Sequence, residues 1–390
     1  MKYLLCCLAV LLTACGGGGS STSTTVPTQV INNTPPNKLS LAWVDYRFDD
    51  SSLNINGVTT TSYAGMTPMV DHIKKVGYNT IVFQTEVPVN TDTGQLDLNA
   101  VPAQPRTLPK DFWRVVDYAK SQGLVVWIMI AITDGLDNGL TSTSVGVNFN
   151  AATMFDTITT YDKSVAVLAQ QHNVNGIYLG DLQVGFDQAP YLLYWQTLFS
   201  SIKNVFNGKL SYMASYDTPV YDLVDYISTG FNFPLMSTTT TNVTDIVNSY
   251  YHDTNGLDIV NYVQTLSKSH NNKPLILDYF RASPTDTGVG LNVDLWNLIF
   301  NGGNFSSIPP PNYNLLVAKI SAFCNISSVI TPVAGIGFDE YIPWAQAAWV
   351  QNAVPGSANY NWYLFDTLGF ELYNHTQAET AINQCVGNFK

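Results

Sequence analysis

From about residue 40 the chain alternates between two patterns. Short apolar runs end in polar or acidic residues, and each gives way to a stretch with helical spacing of its apolar positions. The runs fall at 39–48, 79–87, 124–132, 176–183, 210–216, 226–233, 274–281 and 334–342 and predict strands. The stretches between and after them predict helices at 66–76, 111–122, 152–172, 191–206, 220–224, 258–269, 313–327 and 377–386. Local punctuation agrees with these bounds. Pro109 opens the second helix and Gly123 closes it. Asn207-Gly208 ends the fourth, Pro219 precedes the fifth, and His270-Asn271-Asn272 ends the sixth.

Strands alternating with helices predict parallel βαβ units, and eight is the count that closes a (β/α)8 TIM barrel. An open doubly wound sheet would alternate in the same way. The chain has no G-x-G-x-x-G after a strand and no P-loop, so that alternative lacks its usual ligand site. Long loops are expected at 90–108, 133–151, 235–256, 283–312 and 343–376. Nearly all follow strands, which puts them on the strand C-terminal face, where such barrels keep their active sites.

The first 39 residues follow neither pattern. Lys2 precedes an apolar run at 3–12, which is shorter than the ~20 residues needed to span a bilayer. Residues 16–39 read GGGGSSTSTTVPTQVINNTPPNKL, too polar to fold, and predict a flexible tether with an r.m.s. reach of roughly 25–30 Å. Leu12-Thr13-Ala14-Cys15 resembles the bacterial lipobox, in which the cysteine is acylated and the chain is cut before it. Gly16 after the cysteine resembles lipoproteins sorted to the outer membrane. The resemblance implies a signal peptide at 1–14, a lipidated Cys15 with a linker at 15–39, and a barrel domain at 40–390. The expected location is the cell envelope, with a membrane contact through the lipid alone.

Lys and Arg together number 17 against 29 Asp and Glu, a net charge of −12 with no basic run. Nucleic acid and anionic head groups are therefore poor partners. Tyr (22) and Trp (8) are abundant, as is common among exported proteins that handle carbohydrate. Cys6 and Cys7 would leave with the signal peptide and Cys15 would carry lipid. Cys324 and Cys385 remain, either paired in an oxidising compartment or as two buried thiols. The five histidines are scattered and no Cys/His cluster has ligand spacing, so no metal or other cofactor is expected.

Candidate chemistry lies where strands end. The first ends Trp43-Val-Asp45-Tyr46, the second includes Glu86, and the fourth ends Asp181-Leu-Gln183. The fifth ends at Tyr216, the sixth at Asn232-Phe233, and the seventh reads Asp278-Tyr279-Phe280-Arg281. The eighth ends Asp339-Glu340-Tyr341, with Trp344 beyond. Carboxyls thus converge on one rim among aromatic rings. Glycosidic hydrolysis needs two carboxyls across a cleft, one to protonate the leaving oxygen and one to attack or to activate water. Aromatic rings stack on the apolar faces of sugars, and Asp, Asn and Arg bond their hydroxyls.

Four pieces resemble clan A glycoside hydrolases, family 113 mannanases above all. They are residues 66–84 ending GYNTIVFQ, 118–132 (YAKSQGLVVWIMIAI), 194–235, and 273–283 (KPLILDYFRAS). The resemblance implies a barrel acting on a β-linked polysaccharide, with an acid/base Glu ending strand four and a nucleophile Glu ending strand seven. This chain departs at both places. Asp278 stands at the nucleophile position. Leu182 matches the acid/base, with Asp181 and Gln183 on either side. Asp reaches roughly 1–1.5 Å less far than Glu, and misplacement of that size costs ~10²-fold in rate. Either the site is rebuilt or the barrel is a non-hydrolytic relative, a carbohydrate-binding or structural surface lipoprotein.

On the first alternative Asp278 is the nucleophile, kept ionised by Arg281, and Asp181 is the acid. Glu340, Glu86 and Asp339 are the other carboxyls that could serve. Trp43, Asp45, Tyr46, Tyr216, Asn232, Tyr279, Arg281, Tyr341 and Trp344 would bind sugar. On the second, Asp278 is a structural partner of Arg281.

Overall fold

The computed structural model describes residues 38–46, 54–55, 58–59, 62–97, 108–133, 140–181, 183–231, 233, 235, 240–281, 284, 312–341, 372 and 375–389. The proposed lipobox, Cys15 and the tether lie outside the described residues, as do Asn232 and Trp344 and the side chains of Tyr279, Arg281 and Glu340.

Eight parallel strands close a barrel: β1 (Leu39–Asp45), β4 (Thr80–Pro88), β5 (Val125–Thr133), β6 (Gly176–Asp181), β7 (Lys209–Ala214), β8 (Tyr226–Gly230), β9 (Leu275–Arg281) and β10 (Val333–Tyr341). β10 pairs with β1, which pairs with β4, and this completes the ring. A two-stranded antiparallel hairpin, β2 (Asn54–Ile55) and β3 (Val58–Thr59), follows the first barrel strand and was not foreseen.

Alternation along each strand builds two layers. Leu39, Leu41, Trp43, Val82, Trp127, Met129, Ala131, Tyr178, Met213 and Ile276 form one buried cluster, which fills the lumen. Their neighbours in sequence, such as Ala42, Val44, Ile81, Phe83, Ile128 and Leu277, belong to the second cluster, under the helices. Because both faces are covered, the strands read as continuous apolar runs rather than as alternating ones.

The helices are α1 (Tyr63–Val76), α2 (Phe112–Ser121), α3 (Ala151–Gln171), α4 (Leu192–Lys203), α5 (Val243–Ser249), α6 (Ile259–Ser269), α7 (Tyr313–Val329) and α8 (Thr376–Asn388). Side-chain caps set several starts. Ser62, Asn150, Asp258 and Asn312 each accept from a backbone N–H three residues on. α1 stops at Gly77, whose φ of 111° suits glycine, and Lys74 and Lys75 occupy its last turn.

Two expectations are corrected. The segment expected to be a helix at 220–224 is a single 3-10 turn, Pro219–Asp222, too short to propagate an α-helix. The loop expected at 235–256 contains α5, capped by Asn242. Its polar, β-branched sequence hides the helical pattern.

Three ladders slip register near the strand ends. Along β6 Tyr178 and Asp181 are three positions apart, while their partners Ser211 and Met213 on β7 are two apart. β9 advances from Leu277 to Phe280 while β10 advances from Ile336 to Phe338. β10 advances from Phe338 to Tyr341 while β1 advances from Ala42 to Val44. Each is a bulge that places two residues opposite one, and each adjoins a candidate carboxyl.

Candidate active site

Asp278 occupies the lumen at the middle of β9, not at the strand end the sequence suggests, and is fully buried. Trp43 Nε1–H donates to its Oδ1 at 2.5 Å. The Tyr178 hydroxyl donates to Oδ2 at 2.6 Å, and the Ser228 hydroxyl donates to the same oxygen at 3.0 Å. These donors come from β1, β6 and β8, so one carboxylate ties three other strands together. Gly337 lies across the ladder from the β9 bulge. A Cβ there would come within 1.9 Å of Asp278 Oδ1, so the carboxylate depends on glycine at that position. Burial raises the Tyr178 phenol well above its ordinary pKa, and the Asp278 charge raises it further. The Trp43 and Trp127 rings flank Tyr178, each at a centroid distance of 5.1 Å, and form an aromatic floor.

Asp181 is brought to the same side by backbone geometry. Strict alternation from Tyr178, which faces the lumen, would turn residue 181 outward. The β6 bulge changes that parity. Gly180 takes φ +90°, and Asp181 then pairs with Met213, a lumen residue. A side chain is expensive at such a φ, which explains the glycine. Asp181 is partly exposed; burial and then Asp187 raise the Tyr216 phenol, and the Asp181 charge adds to them.

Glu86 is 3% exposed and pairs in register with Ala131 of the lumen. Thr133 Oγ1 donates to its Oε2 at 3.4 Å. Asp45 continues the lumen row of Leu39, Leu41 and Trp43 and is buried. On β10, Asp339 extends the lumen row of Gly335 and Gly337. Adjacent Asp339 and Glu340 would ordinarily face opposite ways. The bulge between the outward residues Phe338 and Tyr341 places both backbones opposite Trp43.

Two aromatic expectations are corrected. Tyr46 follows lumen-facing Asp45, so parity sends it outward. It stacks on Phe112 of α2 at 5.2 Å and packs against Phe83 at 5.6 Å. Tyr341 lies in the same helix-facing layer, edge-on to Tyr78 at 5.8 Å. Neither ring lines the mouth. Trp43 does face the lumen, but it is fully buried and bonded to Asp278. Tyr216, just after β7, is partly buried and donates to Asp187 Oδ2 at 2.6 Å.

Ser228, Gly337 and Asp187 escaped the sequence reading. Ser228 had a signal, since a hydroxyl at a buried strand position demands a partner. Asp187 had none, because it sits in a loop and its phenolic partners come from β7 and the residues just after it.

Cys324 and Cys385 are joined by a disulfide. Among the described residues no group of three His, Cys, Asp or Glu side chains could hold a metal ion, and no helix is long and apolar enough to cross a membrane.

No protein-family model and no curated protein sequence matches the chain. Solved structures do. A complex of a GH113 beta-1,4-mannanase superposes with a TM-score of 0.63 at 12% identity, covering 90% of this chain and 99% of the mannanase. A GH113 beta-mannanase from Alicyclobacillus acidocaldarius, in complex with ManMIm, gives 0.59 at 12% identity and covers 91% and 99%. At such low identity the likeness is one of fold. The chain is thus a (β/α)8 barrel similar in fold to the GH113 mannanase structures.

Proposed function

We propose that this chain is an exported, lipid-anchored glycoside hydrolase acting on a β-linked polysaccharide through a carboxylate pair at the barrel mouth. One observation carries the reading. Five strands bring Asp45, Glu86, Asp181, Asp278 and Asp339 to the lumen side, Asp278 at mid-strand and the others at or near the C-terminal ends, and the β6 bulge turns Asp181 toward it. In this reading Asp278 is the nucleophile. Three donors fix its orientation, as covalent catalysis requires. Asp181, more exposed, reaches the leaving oxygen as the acid, with Glu86 or Glu340 as substitutes. Cys15 holds the barrel to the outer membrane, and the tether lifts it clear of the lipid. The substrate of the GH113 structures makes a β-1,4-mannan the first polymer to test.

A second reading is favoured by the burial of Asp278. A carboxylate that is 0% exposed and held by three donors is well suited to building a barrel and poorly placed to attack. The same mouth would then bind carbohydrate without cleaving it. Both readings meet one experiment, in which the soluble domain is incubated with a panel of β-linked polysaccharides and scored for new reducing ends and for binding. The hydrolase reading expects cleavage that Asp278→Asn abolishes while folding and binding persist. Binding without cleavage selects the second reading, and neither activity on any polymer would sink both.

A further inference from the structure

Asp187 lies in the connection between β6 and α4, outside the set of strand-end carboxyls, and is fully buried. Its surroundings are built around it. Phe186 and Asp187 both donate backbone N–H groups to Gln183 O, at 2.9 and 3.1 Å. Trp195 Nε1–H holds Phe186 O at 2.8 Å, and the Thr218 hydroxyl holds Asp187 O at 2.6 Å. With its backbone fastened, the carboxylate collects side-chain donors. Gln188 Nε2 donates to Oδ1 at 3.1 Å. The hydroxyls of Tyr212 and Tyr216 donate to Oδ2 at 3.1 and 2.6 Å.

The directions of these bonds follow from the inventory of donors. The Gln183 backbone N–H donates to the Tyr212 oxygen at 3.0 Å, so the single Tyr212 proton goes to Asp187. Tyr216 also has one proton, and a 2.6 Å contact to a carboxylate takes it. What the Tyr216 oxygen then has left is lone pairs. Its ring is partly buried, and it stands just past the C-terminal end of β7, three residues after Met213, the ladder partner of Asp181.

We propose that Asp187 is a positioning residue that locks the Tyr216 hydroxyl as an acceptor for a sugar hydroxyl beside Asp181. The proposal rests on the carbohydrate reading and adds its polarity: at this point the site selects a ligand that donates. An Asn at 187 keeps the shape but turns its carbonyl oxygen to the two phenols, a neutral acceptor in place of a charged one, which weakens the hold on the Tyr216 proton.

The test measures binding of β-1,4-mannohexaose, with cellohexaose alongside, to the soluble wild-type domain and to Tyr216→Phe, Asp187→Asn and the double variant. Each single change is expected to weaken the preferred hexaose about five- to tenfold, as loss of one hydrogen bond does. The double variant is expected to lose no more than the weaker single variant, because both act through one oxygen. Tyr216→Phe alters no buried carboxyl and remains readable even if Asp187→Asn folds poorly. Unchanged binding by Tyr216→Phe, or fully additive losses, would overturn the proposal while leaving the carbohydrate reading intact. Wild-type protein that binds neither hexaose nor any polysaccharide of the panel would remove that reading and the proposal together.

Discussion

A single hydrogen atom at residue 337 decides whether Asp278 can sit where it does. The space an alanine Cβ would need is already occupied by Asp278 Oδ1 at 1.9 Å, and Trp43 Nε1 lies at 3.0 Å. Neither neighbour is free to retreat, since both are fully buried and bonded to each other. Gly337→Ala should therefore push the carboxylate off its three donors. Overpacking plus loss of buried bonds is expected to cost about 2–4 kcal/mol, read as a lower urea midpoint with an unchanged slope. The variant should also lose any hydrolysis or sugar binding that depends on Asp278. Wild-type stability in Gly337→Ala would show that the carboxylate moves easily and that its tight cradle is not what orients it.

At the scale of elements, α6 is bound to the β7–β8 connection by a histidine. His270 follows the helix and is nearly buried. Its Nδ1 meets Asp222 and its Nε2 meets Asp217, both at 2.8 Å, so the ring satisfies both carboxylates only when protonated. Burial pulls the His270 pKa down, but bonds to Asp217 and Asp222 and their charges outweigh it and leave it raised. Since the folded pKa exceeds the unfolded one, the contribution is fully present below about pH 6.5 and is lost as pH rises through the raised value. Asp217 and Asp222 are 59% and 56% exposed, so solvent screening keeps the contribution to about 1 kcal/mol. Thermal melts should show the wild type losing stability above that pH relative to His270→Gln. Parallel curves for the two proteins would show that the histidine contributes no proton-linked stability.

The sequence revealed elements better than faces. Eight apolar runs announced the barrel, because a parallel strand buried on both sides must be apolar throughout. Carboxyls at strand ends announced the mouth. Parity correctly applied would have sent Tyr46 outward. Parity applied to Asp181 would have misled, since the bulge at Gly180 is a backbone event that a glycine only hints at. Asp187 was illegible for a different reason: its meaning lies in Tyr212 and Tyr216, more than twenty residues away, and no local pattern carries such a contact.

For the whole molecule, the question is what keeps the ring of helices closed where the chain ends. The strands close through β1 and β10, and α8 does the corresponding work outside them, between α7 and α1. Toward α1, Glu379 meets His72 Nε2 at 2.5 Å, and Asn383 Nδ2 donates to Val76 O at 2.5 Å. Toward α7, the bond is covalent, Cys324 to Cys385 across 61 residues of sequence. A cross-link of that span removes unfolded-chain entropy worth about 4 kcal/mol in the loop-closure model, the larger effect beside two partly exposed polar contacts. Replacing both cysteines with serine should therefore lower the Tm by several degrees and lower it equally with or without reductant, whereas the wild type should fall to the same Tm only when reduced. The same comparison bears on export. Made in a reducing cytosol, the chain should carry free thiols and melt like the double variant. Made in an oxidising compartment, it should carry the bond and melt higher. If reduction leaves the wild-type Tm unchanged, polar contacts and apolar packing close the ring without the disulfide, and that bond ceases to be a stability argument for an extracytoplasmic home.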